Sequence, residues 1–372
     1  MPTDARVLSN RDLNRATLAR QHLIERSAMP AEAMVVHLIA MQAQAPLAPY
    51  FGLWSRLDGF TPDDLSSGIL DRSMIRIVTL RGTVHLHTAN DALTIRGAMQ
   101  PTLERSMRSA PGHKTLASII PDLLAWGREL VEQEPRSTAS LRPLLTERWP
   151  DADPEAMSRV INYTLPMVQV PPRGIWGASG QPVLTTIDAW TGRTLPPDPD
   201  LVVDGIILRY LAAFGPASVQ DAQMWSGLTR LGDVFTRLRD RLITFRGDDG
   251  RELFDLPDAP RPNADTPTPV RILAPFDNVL LGYRERLRIL PEGHQRLIFT
   301  KNGLIRPTVL VDGVAAGIAS TSRMKDVARL DIDLFHPVSP AVREEIEAEG
   351  HRLLAFAEPA ATSMQVEFTT RA

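Results

Sequence analysis

Three times in its first 260 residues the chain runs through a group of short helical segments and then into two apolar runs hinged on a tight turn. Short helices followed by a two-stranded hairpin are the order of a winged helix, and this recurrence constrains the fold more than any other feature. In the first round Ser9 or Asn10 can cap a helix through about Ile24, and Pro30 opens a second helix running to Gln42. Thr61, Pro62 and Asp64 follow as a capping box with Asp in place of Glu. "IRIVTL" and "TVHLHT" then flank Arg81-Gly82 as a hairpin. The second round places helices over 115–131, 137–149 and 153–167 before a hairpin around Gly174 and Gly180. The third places them over 200–215, 218–228 and 230–242 before "ITFRGDDGRELFDLP", with Asp249-Gly250 at the turn. No strict sequence repeat underlies this; only the order of elements recurs.

Residues 257–269 are proline-rich and polar, a linker or surface loop. Beyond them the chain turns β-rich: "VRILAPF", "RLIFT", "RPTVLVDGVAAGIAS" and "VARLDIDLF", with Asn302-Gly303 as a turn between two of these strands. A last helix begins at Ser339 with Pro340 at its first position. The expected architecture is therefore α+β. It comprises three tandem winged-helix subdomains over 1–112, 113–197 and 198–260, then a β-rich region with a terminal helix over 261–372.

Composition narrows the chemistry. With no cysteine, disulfides, thiolate zinc sites, iron–sulfur clusters and a cysteine nucleophile are excluded. The first twenty residues have no apolar signal core, and no apolar run approaches the ~18 residues of a membrane helix. A cytoplasmic protein without a membrane partner is expected. There is no Walker-type loop, no G-x-S-x-G elbow and no evident metal-ligand set, so neither metal nor cofactor is expected. A net charge of −3 and pI near 6.3 argue against a wholly basic nucleic-acid binder. Residues 271–306 are the local exception, with seven basic side chains against three acidic ones. Within them Arg284, Arg286 and Arg288 alternate, which places them on one side of a strand. A phosphate-binding face and a solvated charged face explain the patch about equally well.

The stretch "IAMQAQAPLAPYFGLW" sets Gln42 and Gln44 at the end of an apolar run. In a helix, residues two apart point about 200° apart; in extended chain they share a face. Pro46 disfavours helix at Ala45, so Gln44 is expected where the helix frays, with both amides converging. On the residues alone, helix-end glutamines that cap carbonyls or meet solvent remain the better reading. His85 and His87 alternate on a strand, where a structural pair is the commoner case. Arg81 sits at the hairpin corner, where it can simply satisfy turn carbonyls. Asp277 and Asn278 read as turn residues, with Asp277 a candidate base ranked below the glutamines. Arg173 and Trp176, like Lys301 and Asn302, fall at hairpin tips that can enter a groove; Trp176 can equally pack under its own wing.

Taken in order, "QAQAP", "LRGTVHL", "PPRGIWG", "YLAAFGPASVQDAQMWSGL" and "APFDNVLLGYRER" resemble the AlkZ/YcaQ superfamily of bacterial winged-helix DNA glycosylases, from about residue 10 to 360. Gln42-Ala43-Gln44 matches its AlkZ-like Gln-x-Gln branch rather than the Gln-x-Asp branch. The resemblance implies winged helices in a C-shape around a DNA-sized channel. It implies a monofunctional glycosylase for bulky N7-alkylated purines that unhooks interstrand crosslinks, in repair or in self-resistance to a genotoxic natural product. It makes Gln42 and Gln44 catalytic. It turns Arg81, His85, Arg173, Trp176, Asp277, Asn278, Arg284, Arg286, Arg288, Lys301 and Asn302 toward DNA. The partner would be damaged double-stranded DNA and the protein a monomer. The competing readings are a non-catalytic winged-helix regulator, disfavoured by the base-poor helix "SVQDAQMWSGL", and a protein that sequesters a DNA-alkylating metabolite.

Overall fold

The computed structural model describes residues 6–194 and 200–371. The first unit comprises β1 (Val7–Leu8), α1 (Asn10–Arg20), α2 (Ala31–Leu38), β2 (Met41–Gln42), α3 (Ala48–Trp54) and α4 (Pro62–Leu70). It ends in the hairpin β3 (Met74–Val78) and β4 (Val84–Thr88) and the long helix α5 (Ala89–Arg108). Local chemistry sets its helix starts. Ser9 with Asp12 and Thr61 with Asp64 each form a reciprocal capping box, satisfying amide groups that have no partner inside the helix.

The second unit holds α6 (Ile120–Gln133), β5 (Arg136–Ser137), α7 (Thr138–Arg148), α8 (Pro154–Thr164), β6 (Met167–Gln169), β7 (Val183–Thr186) and α9 (Ile187–Thr191). The third holds α10 (Asp200–Phe214), α11 (Val219–Ser226), α12 (Gly232–Arg237), β8 (Ile243–Gly247) and β9 (Glu252–Asp255). The boundary expected between residues 197 and 198 lies outside the described residues. The C-terminal part follows: β10 (Arg271–Leu273), α13 (Asn278–Leu281), α14 (Gln295–Ile298), β11 (Thr308–Val311), β12 (Val314–Met324), β13 (Val327–Leu334), α15 (Pro340–Ala357) and β14 (Ser363–Thr370).

Pairing ties these parts together. β3 pairs with β6, Ile77 opposite Val168, so the first two wings fuse into one six-stranded sheet in the order β2-β4-β3-β6-β7-β5. β1 adds in parallel to β8, giving β1-β8-β9. The C-terminal sheet runs β10-β11-β12-β13-β14, antiparallel except for β13 and β14. Leu38, Tyr50, Leu53 and Leu65 of the first unit share one core with Ile272, Val309, Leu330 and Leu354 of this region. Each such buried side chain contributes about 1.5–3 kcal/mol of transfer free energy. The fold is thus α+β, with winged-helix units followed by a β-rich part.

Two sequence expectations fail here. "RLIFT" is not a strand: residues 295–298 form α14, and only a lone bridge joins Phe299 to Ile305. A short apolar run cannot tell a strand from a buried helical turn by periodicity. The helix expected through Gln42 stops at Leu38.

Candidate active site

The early end of α2 creates the site. Ile39 adopts φ +69°, a conformation costly for a β-branched residue, and long-range contacts hold it there. His87 Nδ1 donates to the Ile39 carbonyl at 2.9 Å, and Asn278 Nδ2 donates to the Ala40 carbonyl at 2.8 Å. The chain then extends: Met41 pairs with Leu86 and Gln42 with His85. The Ala43 amide donates to the Val84 carbonyl at 2.8 Å, and the Ala43 carbonyl accepts from Arg76 Nη2 at 3.0 Å. Met41-Gln42-Ala43 is therefore clamped through its backbone, with Ala43 fully buried and Gln42 8% exposed, and Gln44 follows in a bend, open to solvent.

Arg81 closes the site. Its Nη2 donates to Gln42 Oε1 at 2.9 Å and approaches His85 Nε2 at 3.2 Å, while Nη1 donates to the Trp225 carbonyl. His85 Nδ1 lies 2.9 Å from the Thr83 carbonyl. A carbonyl only accepts, so Nδ1 carries the proton and Nε2 offers its lone pair to Arg81. Burial, with the charges of Arg81 and His87, pushes His85 well below the usual histidine range. Burial likewise lowers His87 to about 4. Burial, with the charge of Arg286, brings Arg81 down to about 10, which leaves it a cation at neutral pH. The Arg81 backbone is left-handed (φ 54°, ψ 15°), and Gly227 at the end of α11 packs against it. A Cβ on Gly227 would lie 3.1 Å from Arg81 N and Cα, so that approach requires glycine.

Beyond Arg81 an open cleft of about 500 Å³ runs between the wing and α11, lined by Thr102, Gln220, Gln223, Met224 and Arg284 among others. Arg284 is exposed and donates to Gln220 Oε1 at 2.8 Å. Arg286 is half-buried, donates to the Leu280 carbonyl at 2.9 Å and lies over the Phe299 ring.

Several expected DNA contacts are turned inward. Residues 284–288 form a loop, not a strand, so the three arginines do not share a face. Arg288 is buried, its guanidinium 3.9 Å from the Tyr283 ring centroid and bonded to the Pro216 carbonyl at 3.0 Å. Asp277 is buried against Arg56, whose Nη1 and Nη2 reach its two oxygens at 2.8 and 2.7 Å, and it also caps α13 through the Val279 amide. Asn278 is buried and spends its amide on Ala40. His85 is buried too and faces Arg81 rather than solvent. Trp176 packs among Tyr50, Phe51 and Phe356, with ring centroids 5.1, 5.7 and 5.2 Å away; it serves the core, not a groove. Arg173 is half-buried and bonded to the Gly180 carbonyl at 2.8 Å. Lys301 and Asn302 do project from an exposed turn, closed by the Gly303 amide on the Thr300 carbonyl.

Arg76 and Gly227 were not singled out from the sequence. Arg76 carried a signal nonetheless: it is a lone cation inside the apolar run "IRIV", and burial together with Arg173 lowers it to about 10. Among the described residues no group of three or more metal-ligating side chains comes together. No described helix is long and apolar enough to cross a membrane.

Fused wings, a strand end that holds Gln42 against Arg81, and an open cleft beside that cation define a winged-helix protein with a polar candidate site. A family model described as "DNA glycosylase AlkZ-like" matches residues 35–356, and the chain belongs to this family of DNA glycosylases. It is 25% identical over 335 residues to the "Interstrand DNA cross-link repair glycosylase" of Streptomyces sahachiroi, covering 81% of this chain and 85% of that protein. It matches the solved structure of the Streptomyces sahachiroi DNA glycosylase AlkZ with a TM-score of 0.79 at 20% identity, covering 98% of this chain and 100% of that one. At that identity the structural likeness shows the fold.

Proposed function

We propose that the protein is a monofunctional glycosylase for bulky N7-alkylated purines in double-stranded DNA, including those in interstrand crosslinks, with Gln42 and Gln44 at the reaction centre. One observation carries this reading. The carboxylate lining the same crevice as Gln42, Asp277, is fully engaged by Arg56, so the groups left to act are neutral amides beside a cation. An undamaged purine leaves poorly and calls for an acid to protonate it. A purine alkylated at N7 already carries a positive charge. When its bond to C1′ breaks, the electron pair goes to the base nitrogen and the base departs neutral. Water oxygen then bonds to C1′ and its proton passes to solvent, leaving an abasic site and an intact strand. Orienting that water and supplying dipoles where charge develops suffices.

The relative's name, a cross-link repair glycosylase, supports extending this to crosslinks. A crosslinked base cannot be swung fully into a closed pocket, because its tether holds it to the other strand; a site opening on a cleft avoids that obstacle. The test is base release from an N7-alkylated duplex, read as strand breaks after alkali. Release by the wild type, lost in Gln42→Ala and in Gln44→Ala, is expected. No release by the intact protein overturns the enzymatic reading for these lesions; full activity in both variants overturns the site.

A further inference from the structure

We propose that the two glutamines have different tasks. Gln42 donates its amide hydrogens to a phosphate or sugar oxygen of the lesion nucleotide. The Gln44 carbonyl accepts from the attacking water. Arg81 and His85 are positioning residues that stop Gln42 from exchanging these roles. This division rests on the glycosylase reading of the same site.

The two ends of a glutamine amide are told apart by their partners. A guanidinium has five donors and no acceptor, so the Gln42 atom 2.9 Å from Arg81 Nη2 is the carbonyl oxygen. The amide nitrogen consequently faces the other way. Arg81 cannot swing to release it. Its second nitrogen is held by the Trp225 carbonyl, and Nη2 is also met by the lone pair of His85, whose proton is fixed on Nδ1 by Thr83. Its backbone is wedged in the left-handed region with Gly227 against it.

The consequence for acceptor strength follows. A carbonyl already bonded to a cation is less able to attract a water hydrogen, while its own N–H groups become better donors. Gln42 is thus a poor orienter of water and a good grip on an oxygen. Gln44 lies just past the end of β2, in an exposed bend, where solvent reaches its side chain directly.

Carboxylate substitutions separate the roles, because glutamate keeps the acceptor and removes the donor. Single-turnover release of a bulky N7-alkylguanine and duplex affinity are measured for Gln42→Glu and Gln44→Glu. Gln44→Glu is expected to stay within about tenfold of wild type. Gln42→Glu still offers Arg81 an oxygen, but is expected to lose about 100-fold in rate, the scale of one missing transition-state donor, and to bind the duplex more weakly. The reverse order, equal losses or equal retention overturns the division. Arg81→Lys and Arg81→Met are then compared at matched thermal melting. Lysine, a donor only, should recover most of a roughly tenfold loss seen with methionine, the scale of one hydrogen bond to a charged group. If the two behave alike, Arg81 is not a positioning residue. A wild-type protein that releases no base from this duplex sinks the glycosylase reading instead, so the two failures are distinct.

Discussion

Arg56 lines a crevice with Gln42 and Arg81 bonds to the Gln42 side chain, yet the two cations are treated in opposite ways. Arg56 is fully buried and meets both oxygens of Asp277 in a fork geometry, with Gln21 and Gly52 taking further donors. Arg81 is half-buried, and its recorded partners are neutral: a side-chain amide oxygen, a backbone carbonyl and an imidazole nitrogen. The first cation is neutralised within the protein and joins α3 to α13. The second keeps its charge, at the edge of an open cleft. A charge that the fold leaves uncompensated beside Gln42 suits an anionic ligand, and DNA brings one negative charge with each phosphate.

The sharpest way to break this comparison is to remove the Arg56 counter-charge. Asp277→Ala leaves a buried guanidinium unpaired, which costs about 3–5 kcal/mol, and the urea unfolding midpoint should fall accordingly. If Asp277 instead acted on the substrate, the same variant would keep its midpoint and lose base release. The two arginines would then be of one kind, and the neutral-amide chemistry would have to be abandoned for a carboxylate mechanism.

How far each half of this contrast was legible depends on the distance over which it is decided. The wings were readable because Arg81-Gly82 and Asp249-Gly250 announce turns locally, and the capping boxes are spelled out within four residues. Gln42 and Gln44 were found through a resemblance, since amides do not titrate and carry no signature of their own. The end of α2 was misread because its determinants, His87 and Asn278, lie 48 and 238 residues from the carbonyls they hold. Arg284, Arg286 and Arg288 look equivalent in sequence, yet one is exposed, one half-buried and one stacked on Tyr283. Alternation predicts a shared face only if the segment is extended, and this one is a loop. β14, which joins the sheet in parallel after the α15 crossover, was not singled out although Met364, Val366 and Phe368 alternate with Ser363, Gln365 and Glu367; its pairing partner β13 lies 36 residues back, across a helix.

Acid sharpens the contrast from the Arg81 side. His85 supports Arg81 only while its Nε2 is unprotonated; it faces Arg81 and His87, and His87 in turn faces Asp91 and Arg209. Both histidines titrate lower in the folded protein than their usual value of 6.5. Below that value the unfolded chain binds more protons than the folded one, so stability falls as pH falls. The unfolding free energy should be unaffected by these groups above about pH 7. It should then decline by about 1.4 kcal/mol per pH unit for each histidine, with the His87 contribution exhausted near its folded value of about 4. Urea midpoints at pH 8, 6.5 and 5.5 measure the slope. A His87→Asn variant that keeps the full slope would show that this pair does not set it.

The smallest effect belongs to a third kind of arrangement, a cation that the fold neither neutralises nor buries. Lys301 stands on an exposed turn whose backbone is closed without it, through Thr300, Gly303 and Leu304. Removing its side chain should therefore leave the unfolding free energy within about 0.5 kcal/mol of wild type. Its only expected signature is electrostatic. If Lys301 meets a phosphate, Lys301→Ala lowers by about 0.9 the slope of log affinity against log salt, because one fewer counterion is released on binding. Arg81 differs in that its loss should change the rate of base release at saturating protein, where affinity no longer matters. A Lys301→Ala variant with an unchanged salt slope removes this turn from the DNA interface and leaves the cleft beside Arg81 and Arg284 as the surface to map. A variant that lost rate at saturation instead would mean the turn reaches the reaction centre, and the distinction between contact cations and positioning cations would fail at its simplest case.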